Sequence, residues 1–171
     1  GLWYNPGNRT PYTGKTERKH FNETRISEIN YFKGKRQGLS RFWYSNGKIK
    51  STANYHSGVL EGNSTYHYNN GNIQNLTPYR KGMKHGLVID WWPEGKKSFV
   101  EGYANGFPEG VWRSWWPNGK LASEKTYRNR RLVVHREWNK DGMPKTVAGW
   151  NLDGTFKSAA SIRERQHVIG R

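Results

Sequence analysis

The apolar positions of this chain fall in short, half-apolar runs broken by glycine, and the breaks recur at a fixed interval. Residues 85–96 read HGLVIDWWPEGK and residues 109–120 read EGVWRSWWPNGK, nearly the same phrase 24 positions later. Tyr31, Tyr55, Tyr79, Tyr103 and Tyr127 keep that spacing. So do three glycine series: Gly34, Gly58, Gly82 and Gly106; Gly38, Gly62, Gly86 and Gly110; and Gly47, Gly71, Gly95 and Gly119. One unit therefore reads Tyr-x-x-Gly-x-x-x-Gly, a half-apolar run, an aromatic pair, x-Asn/Glu-Gly-Lys, and a second run back to Tyr. Short runs bounded by turn residues predict strands, here 39–44 with 48–55, 63–68 with 73–79, 87–92 with 96–103, and 111–116 with 120–127.

The pairs Asn46-Gly47, Asn70-Gly71 and Asn118-Gly119 predict tight hairpin turns with both residues at positive φ, and Glu94-Gly95 is the fourth copy. Pro93 and Pro117 stand just before two of these turns, where a missing N–H is most easily spared. The other junction, KGKRQG or KGMKHG, predicts a longer loop whose glycines permit left-handed backbone. The fold class that follows is all-β, a single-layer antiparallel β-meander of 24-residue hairpin repeats. Residues 1–30 read as N-terminal strands and a degenerate capping repeat, 31–126 as four repeats, and 127–156 as a degenerate C-terminal repeat. Residues 157–171 read as a basic tail or a short helix capped by Ser158 or Ser161.

Equivalent residues of successive units lie two strands apart, about 9.6 Å, so a side chain from the return strand must fill the space between rings. Adjacent strand residues point to opposite faces, which puts Trp91 and Trp92, or Trp115 and Trp116, one on each side. The second ring of each pair (Tyr44, Tyr68, Trp92, Trp116) is expected to hold the sheet together. The first position (Trp43, His67, Trp91, Trp115) varies more and is expected to face a partner.

The unit resembles the MORN-repeat superfamily, and more closely its bacterial variant with the pattern G-x-x-x-G-x-[aromatic pair]-x-N-G-x, over about residues 11–155. The opening GLWYNPGNRTPYTGK is similar to the aromatic lead-in of such proteins. Two departures stand out. Phe21-Asn22-Glu23-Thr24 replaces the Asn-Gly turn of the first unit, and Arg130 and Val134 replace the loop glycines of the last. The resemblance implies a non-enzymatic binder: proteins of this type include YwqK-type antitoxins, which neutralise a partner toxin. Other MORN arrays act as scaffolds, dimerisation surfaces or contacts to acidic phospholipids. No catalytic residue belongs to the repeat, so none carries over.

Charge narrows the partner. Lys and Arg number 29 against 13 Asp and Glu, a formal net charge of +16, which attracts anionic surfaces. Hydrophobic residues are 33% of the chain and nine are Trp, so burial must come mostly from rings. With no cysteine there is neither a disulfide nor a thiolate metal site, and no apolar run approaches the ~20 residues of a spanning helix. The chain begins at Gly1 with no initiator Met or signal peptide, which suits a processed exported or periplasmic protein over a cytoplasmic one. The six histidines form no zinc-binding pattern, and His135, Glu137 and Asp141 read as a cross-strand polar set. Neither metal nor cofactor is expected.

The cations are periodic. Lys33, Lys35 and Arg36, then Arg80, Lys81, Lys84 and His85, then Arg128, Arg130 and Arg131 occupy alternate long junctions, while HSGVLEG and ANGFPEG hold no Lys or Arg. The candidate partner-binding residues are therefore Trp43, Trp91 and Trp115 with Arg41 and Arg113, together with Lys35, Arg36, Lys84, His85, Arg128, Arg130 and Arg131. The expected partner is a protein, a toxin with an acidic surface. The alternative is an anionic polymer or membrane: nucleic acid, acidic phospholipid or polysaccharide.

Overall fold

The computed structural model describes residues 2–151 and 155–161, and these are all-β. The strands are β1 (Gly14–Lys19), β2 (Arg25–Phe32), β3 (Lys35–Arg36), β4 (Gly38–Trp43), β5 (Ile49–His56), β6 (Val59–His67), β7 (Ile73–Arg80) and β8 (Met83–Lys84). They continue with β9 (Gly86–Trp91), β10 (Lys97–Ala104), β11 (Phe107–Pro108), β12 (Gly110–Trp115), β13 (Leu121–Arg128), β14 (Arg131–Trp138), β15 (Pro144–Trp150) and β16 (Phe156–Ser161). The chain forms two compact units, Gly1–Lys84 with Pro93–Gly95, and His85–Trp92 with Lys96–Arg171. In the first unit the open antiparallel sheet runs β1-β2-β4-β5-β6-β7, with β3 on β2 and β8 on β7. In the second it runs β9-β10-β12-β13-β14-β15-β16, with β11 on β10. The meander and the strand pairs are those the repeat predicts.

The turns correct the sequence reading. At Asn46-Gly47 only the glycine has positive φ, +80°. Gly47 N–H donates to Tyr44 O at 3.0 Å, and Tyr44 N–H donates to Lys48 O at 2.9 Å. This is the three-residue hairpin, a type I turn followed by a left-handed glycine in a bulge. The asparagine contributes through its side chain, since Asn46, Asn70 and Asn118 Oδ1 each accept from the N–H two residues on, at 3.1, 2.9 and 3.0 Å.

The mirror-image type I′ turns, with both central residues at positive φ, lie instead at the junctions read as long loops. They are Lys33-Gly34, Ser57-Gly58, Lys81-Gly82, Asn105-Gly106 and Asn129-Arg130. Paired residues follow each turn at once, and the second glycine (Gly38 at +71°, Gly110 at +71°) then kinks the strand. The junction is thus a two-residue turn and a bulge, because the twist of a type I′ turn matches that of the strands it joins.

Both caps keep this grammar. His20 N–H donates to Thr24 O and Glu23 N–H to His20 O, with Glu23 at φ +64° where other copies have glycine, so the first unit has the same turn under a different sequence. The expected C-terminal helix is replaced over 157–161 by β16, and 162–171 lie outside the described residues. Pairing with β16 satisfies the outer backbone row of β15, which a helix would leave open.

The described residues form no thick core. Among the described residues the buried apolar side chains are Tyr31, Val88 and Val133. Rigidity comes from ladders on one face of each unit, here called its front. In the first unit Tyr31, Tyr55 and Tyr79 pair in register with Arg36, Leu60 and Lys84; in the second Tyr103 and Tyr127 pair with Pro108 and Leu132. Ring and spacer alternate, but on the tyrosines of the period and not on the paired tryptophans where the sequence reading put them. Trp3 stacks on Tyr31 with ring centroids 5.3 Å apart, and Trp112 sits 5.1 Å from Tyr103 and 4.6 Å from Tyr127. The second-position rings tie neighbouring hairpins: Tyr44 OH donates to His67 O at 2.6 Å, and Trp116 Nε1 to Trp138 O at 3.2 Å.

Candidate binding surface at the type I′ turns

On the back face of each unit, carboxylates hold cations of the sheet centre. In the middle of the first unit, Glu28 accepts from Arg41 Nη1 at 2.7 Å and lies 3.2 Å from Lys15 Nζ. In the second, Glu124 takes Arg113 Nε and Arg136 Nη1, each at 2.9 Å. Arg41 and Arg113, both expected at a partner surface, are therefore held by carboxylates. The pull of Lys15, and then of Arg41, holds the Glu28 carboxyl below the ordinary glutamate range against the opposing effect of burial.

The lysines that follow the glycines of the Asn-Gly turns and of Glu94-Gly95 also have internal partners. Lys48 Nζ donates to Asn70 O at 2.6 Å, Lys96 Nζ to Pro117 O at 3.4 Å, and Lys120 Nζ to Asp141 O at 2.8 Å. The asparagines act alongside them, Asn46 Nδ2 reaching Asn69 O at 3.1 Å and Asn118 Nδ2 reaching Lys140 O at 2.7 Å. The Asn-Gly-Lys motif is thus a latch from each turn to the next.

The type I′ edge is different. Here the residues flanking each turn, and those after the bulge glycines Gly86 and Gly110, alternate away from the tyrosine ladder, onto the back face. In the first unit this brings exposed Phe32, Val59 and Met83 beside Lys33, Lys35, Arg80 and Lys81. In the second it brings exposed Leu87, Phe107 and Val111 to the same edge as Arg128, Arg130 and Arg131. Phe32 is 53% exposed and Phe107 44%, large values for rings in a chain that depends on rings for burial. Lys33 Nζ lies 5.3 Å from the Phe32 ring centre, and the Arg130 guanidinium lies 3.7 Å from that of Phe107.

The remaining candidates are distributed unevenly. Lys35 is exposed on this edge, but Arg36 is folded into the front ladder, 5.2 Å from the Tyr55 ring centre and donating to its hydroxyl at 3.0 Å. Lys84 pairs in register with Tyr79 in the same ladder. His85 Nδ1 accepts the Asn105 N–H at 3.3 Å, the service that Gln37 and Glu61 perform for Ser57 and Lys81. Trp43, Trp91 and Trp115 lie on the back face, half-buried like the second ring of each pair. Exposure therefore does not distinguish the two positions. His135 Nε2 lies 3.4 Å from Glu137 Oε1 on the front, while Asp141 is in the turn beyond β14.

Sequence reasoning missed the exposed apolar residues at the I′ edge, because a run such as ANGFPEG looks like turn chemistry. The available signal was alternation: a residue one place from a ladder tyrosine or its spacer must face the other way.

The fold is that of a hairpin-repeat protein, an antiparallel meander in each unit. Three segments, residues 36–57, 60–81 and 108–129, match the model of the family described as MORN repeat variant. The stretch between the last two keeps the same glycine register without matching. Repeats of this kind commonly mediate binding to membranes or proteins. No curated protein matches the chain. Among the described residues no helix is long and apolar enough to cross a membrane.

Proposed function

We propose that the chain is a non-enzymatic binding protein of the antitoxin or immunity type, which holds a partner protein with an acidic surface against its type I′ edge. One observation carries this reading: carboxylates hold Arg41, Arg113 and Arg136 at the sheet centre and turn carbonyls hold Lys48 and Lys120 at the Asn-Gly edge, while the I′ edges set cations beside exposed apolar side chains. Mixed apolar and cationic rows of this kind suit a protein interface, the rings supplying affinity and the charges supplying orientation.

The test replaces Lys33, Lys35, Arg80 and Lys81 together with Glu in the whole chain. The wild type should retain one protein in stoichiometric, salt-sensitive complex, the variant should lose it, and expression of that protein alone should arrest growth that co-expression restores. A partner held equally by both chains overturns the proposal. A second reading has its own support, since Phe32 and Phe107 beside cations also suit an anionic headgroup layer. Flotation with phosphatidylserine vesicles that displaces the protein partner would transfer the assignment to it.

A further inference from the structure

The last type I′ turn departs from its own repeat. At the second turn position four copies have Gly34, Gly58, Gly82 and Gly106, whereas the fifth has Arg130, held at φ +66°. A residue with a Cβ is strained there, and at this second position the other type I′ turns avoid the strain with glycine. In the Lys81-Gly82 turn a side chain would also meet Val59 Cγ1 at 3.0 Å. At the fifth turn the equivalent place below is occupied by Phe107, and the Arg130 guanidinium settles on its ring at 3.7 Å. Arg128 and Arg131, on either side of the turn, are direct register partners, so three arginines gather at this turn. Backbone strain kept at a turn that gathers three arginines, one of them laid on an exposed ring, points to use of the turn by a ligand.

We propose that Arg130, carried on the Phe107 ring next to Leu87 and Val111, is the anchor for a carboxylate on an apolar segment of the partner protein. This rests on the protein-binding reading above. The ring fixes the guanidinium plane and leaves its in-plane N–H fork for a bidentate acceptor. Leu87 (56% exposed) and Val111 lie on the same face, so the matching ligand places Asp or Glu beside aliphatic side chains. Nucleic acid lacks the aliphatic half. A second copy of this chain, at +16, lacks the charge.

The experiment uses the full chain and a fluorescein-labelled peptide of alternating Glu and Leu, read by anisotropy, with an alternating Glu and Ser peptide and phosphatidylserine vesicles as parallel arms. The wild type should bind the Glu-Leu peptide at least tenfold more tightly than the Glu-Ser one. Arg130→Gly should weaken that binding at least tenfold while raising the melting temperature, because the turn recovers its preferred residue; Arg130→Lys should weaken it about threefold. Opposite movement of stability and binding is not produced by a merely structural arginine. Unchanged binding in Arg130→Gly, or equal binding of both peptides, overturns the anchor and leaves the protein-binding reading intact. A wild type that takes up only the vesicles overturns both.

Discussion

Glu28 offers the most direct test of how the thin sheet is held. Its side chain is 10% exposed, while Lys15 and Arg41, its two partners, are 52% and 39% exposed. A fully buried charge-assisted hydrogen bond contributes about 1.5–3 kcal/mol, and an exposed ion pair about 0.2–1 kcal/mol. With one buried and two half-solvated members, each pair falls near the upper end of the exposed range. Glu28→Gln, which keeps the shape and one acceptor but removes the charge, should therefore cost about 1–2 kcal/mol at pH 7. The pH dependence has a definite sign. The folded carboxyl is held below its ordinary value, so its contribution is complete above the unfolded glutamate pKa of about 4.3 and is lost as pH falls through the lower folded value. Urea unfolding followed by tryptophan emission should show a gap between wild type and variant at pH 7 that closes under acid. A variant as stable as wild type at neutral pH, or a gap that survives at low pH, would refute the ion-pair account and assign Glu28 to packing alone.

Three further outcomes follow from single sites. Gly102→Ala places a Cβ 2.4 Å from the Glu109 carbonyl oxygen, a backbone clash that should cost about 1–3 kcal/mol in thermal unfolding; an unshifted melting temperature would show that the bulge can move aside. Asn118→Ala removes both the acceptor for Lys120 N–H and the donor to Lys140 O, and should cost about 1–2 kcal/mol, whereas Asn118→Asp, which keeps only the acceptor, should recover part of it. Burial raises the phenol pKa of Tyr79, Tyr103 and Tyr127, and the Glu101 carboxylate adds to the rise at Tyr103 through a 3.0 Å hydrogen bond. These rings thus contribute stability that is complete below the ordinary tyrosine pKa of about 10 and is lost as pH climbs above it. Tyrosinate absorbance should appear together with unfolding, and phenols that ionise in a still-folded chain would contradict the ladder.

The period was legible because glycines and rings mark it four times over, and with it the strands, the antiparallel order and the alternation of ring and spacer, though not which rings form it. Turn type was not legible. Asn-Gly suits both a type I′ turn and a type I turn with a bulge, and the strand length between Gly38 and Asn46 decides which, a property of the pairing rather than of the dipeptide. Lys33-Gly34 and Ser57-Gly58 carry no local signal as strong, yet they form the I′ turns because the ladder needs Tyr31 opposite Arg36 and Tyr55 opposite Leu60. The candidate surface was half legible for a related reason. Lys35 and Arg36 are adjacent cations with the same composition signal, but one step of strand alternation sends Arg36 into the ladder and Lys35 to the exposed face. His85 was likewise indistinguishable in sequence from a ligand-binding histidine, and only the Asn105 N–H at its Nδ1 assigns it to the turn.

On the proposed protein-binding reading, alternation along the chain also sets the partner's footprint. In the first unit the cationic I′ turns are those at Lys33 and Lys81, with the uncharged Ser57-Gly58 turn between them. β2 and β7 are four strand steps apart, and at ~4.8 Å per step the two clusters stand about 19 Å from each other. A short acidic peptide reaches one cluster, while a folded acidic domain reaches both. Screening acts on each contact separately over a Debye length of about 8 Å at physiological salt, so the two contacts add. The affinity of the true partner should therefore fall more steeply with ionic strength than that of a short Glu-Leu peptide. Reversing Lys81 alone should flatten the partner's salt dependence without abolishing binding. Equal slopes for peptide and partner would mean that a single cluster is engaged, and the two-turn footprint would have to be given up.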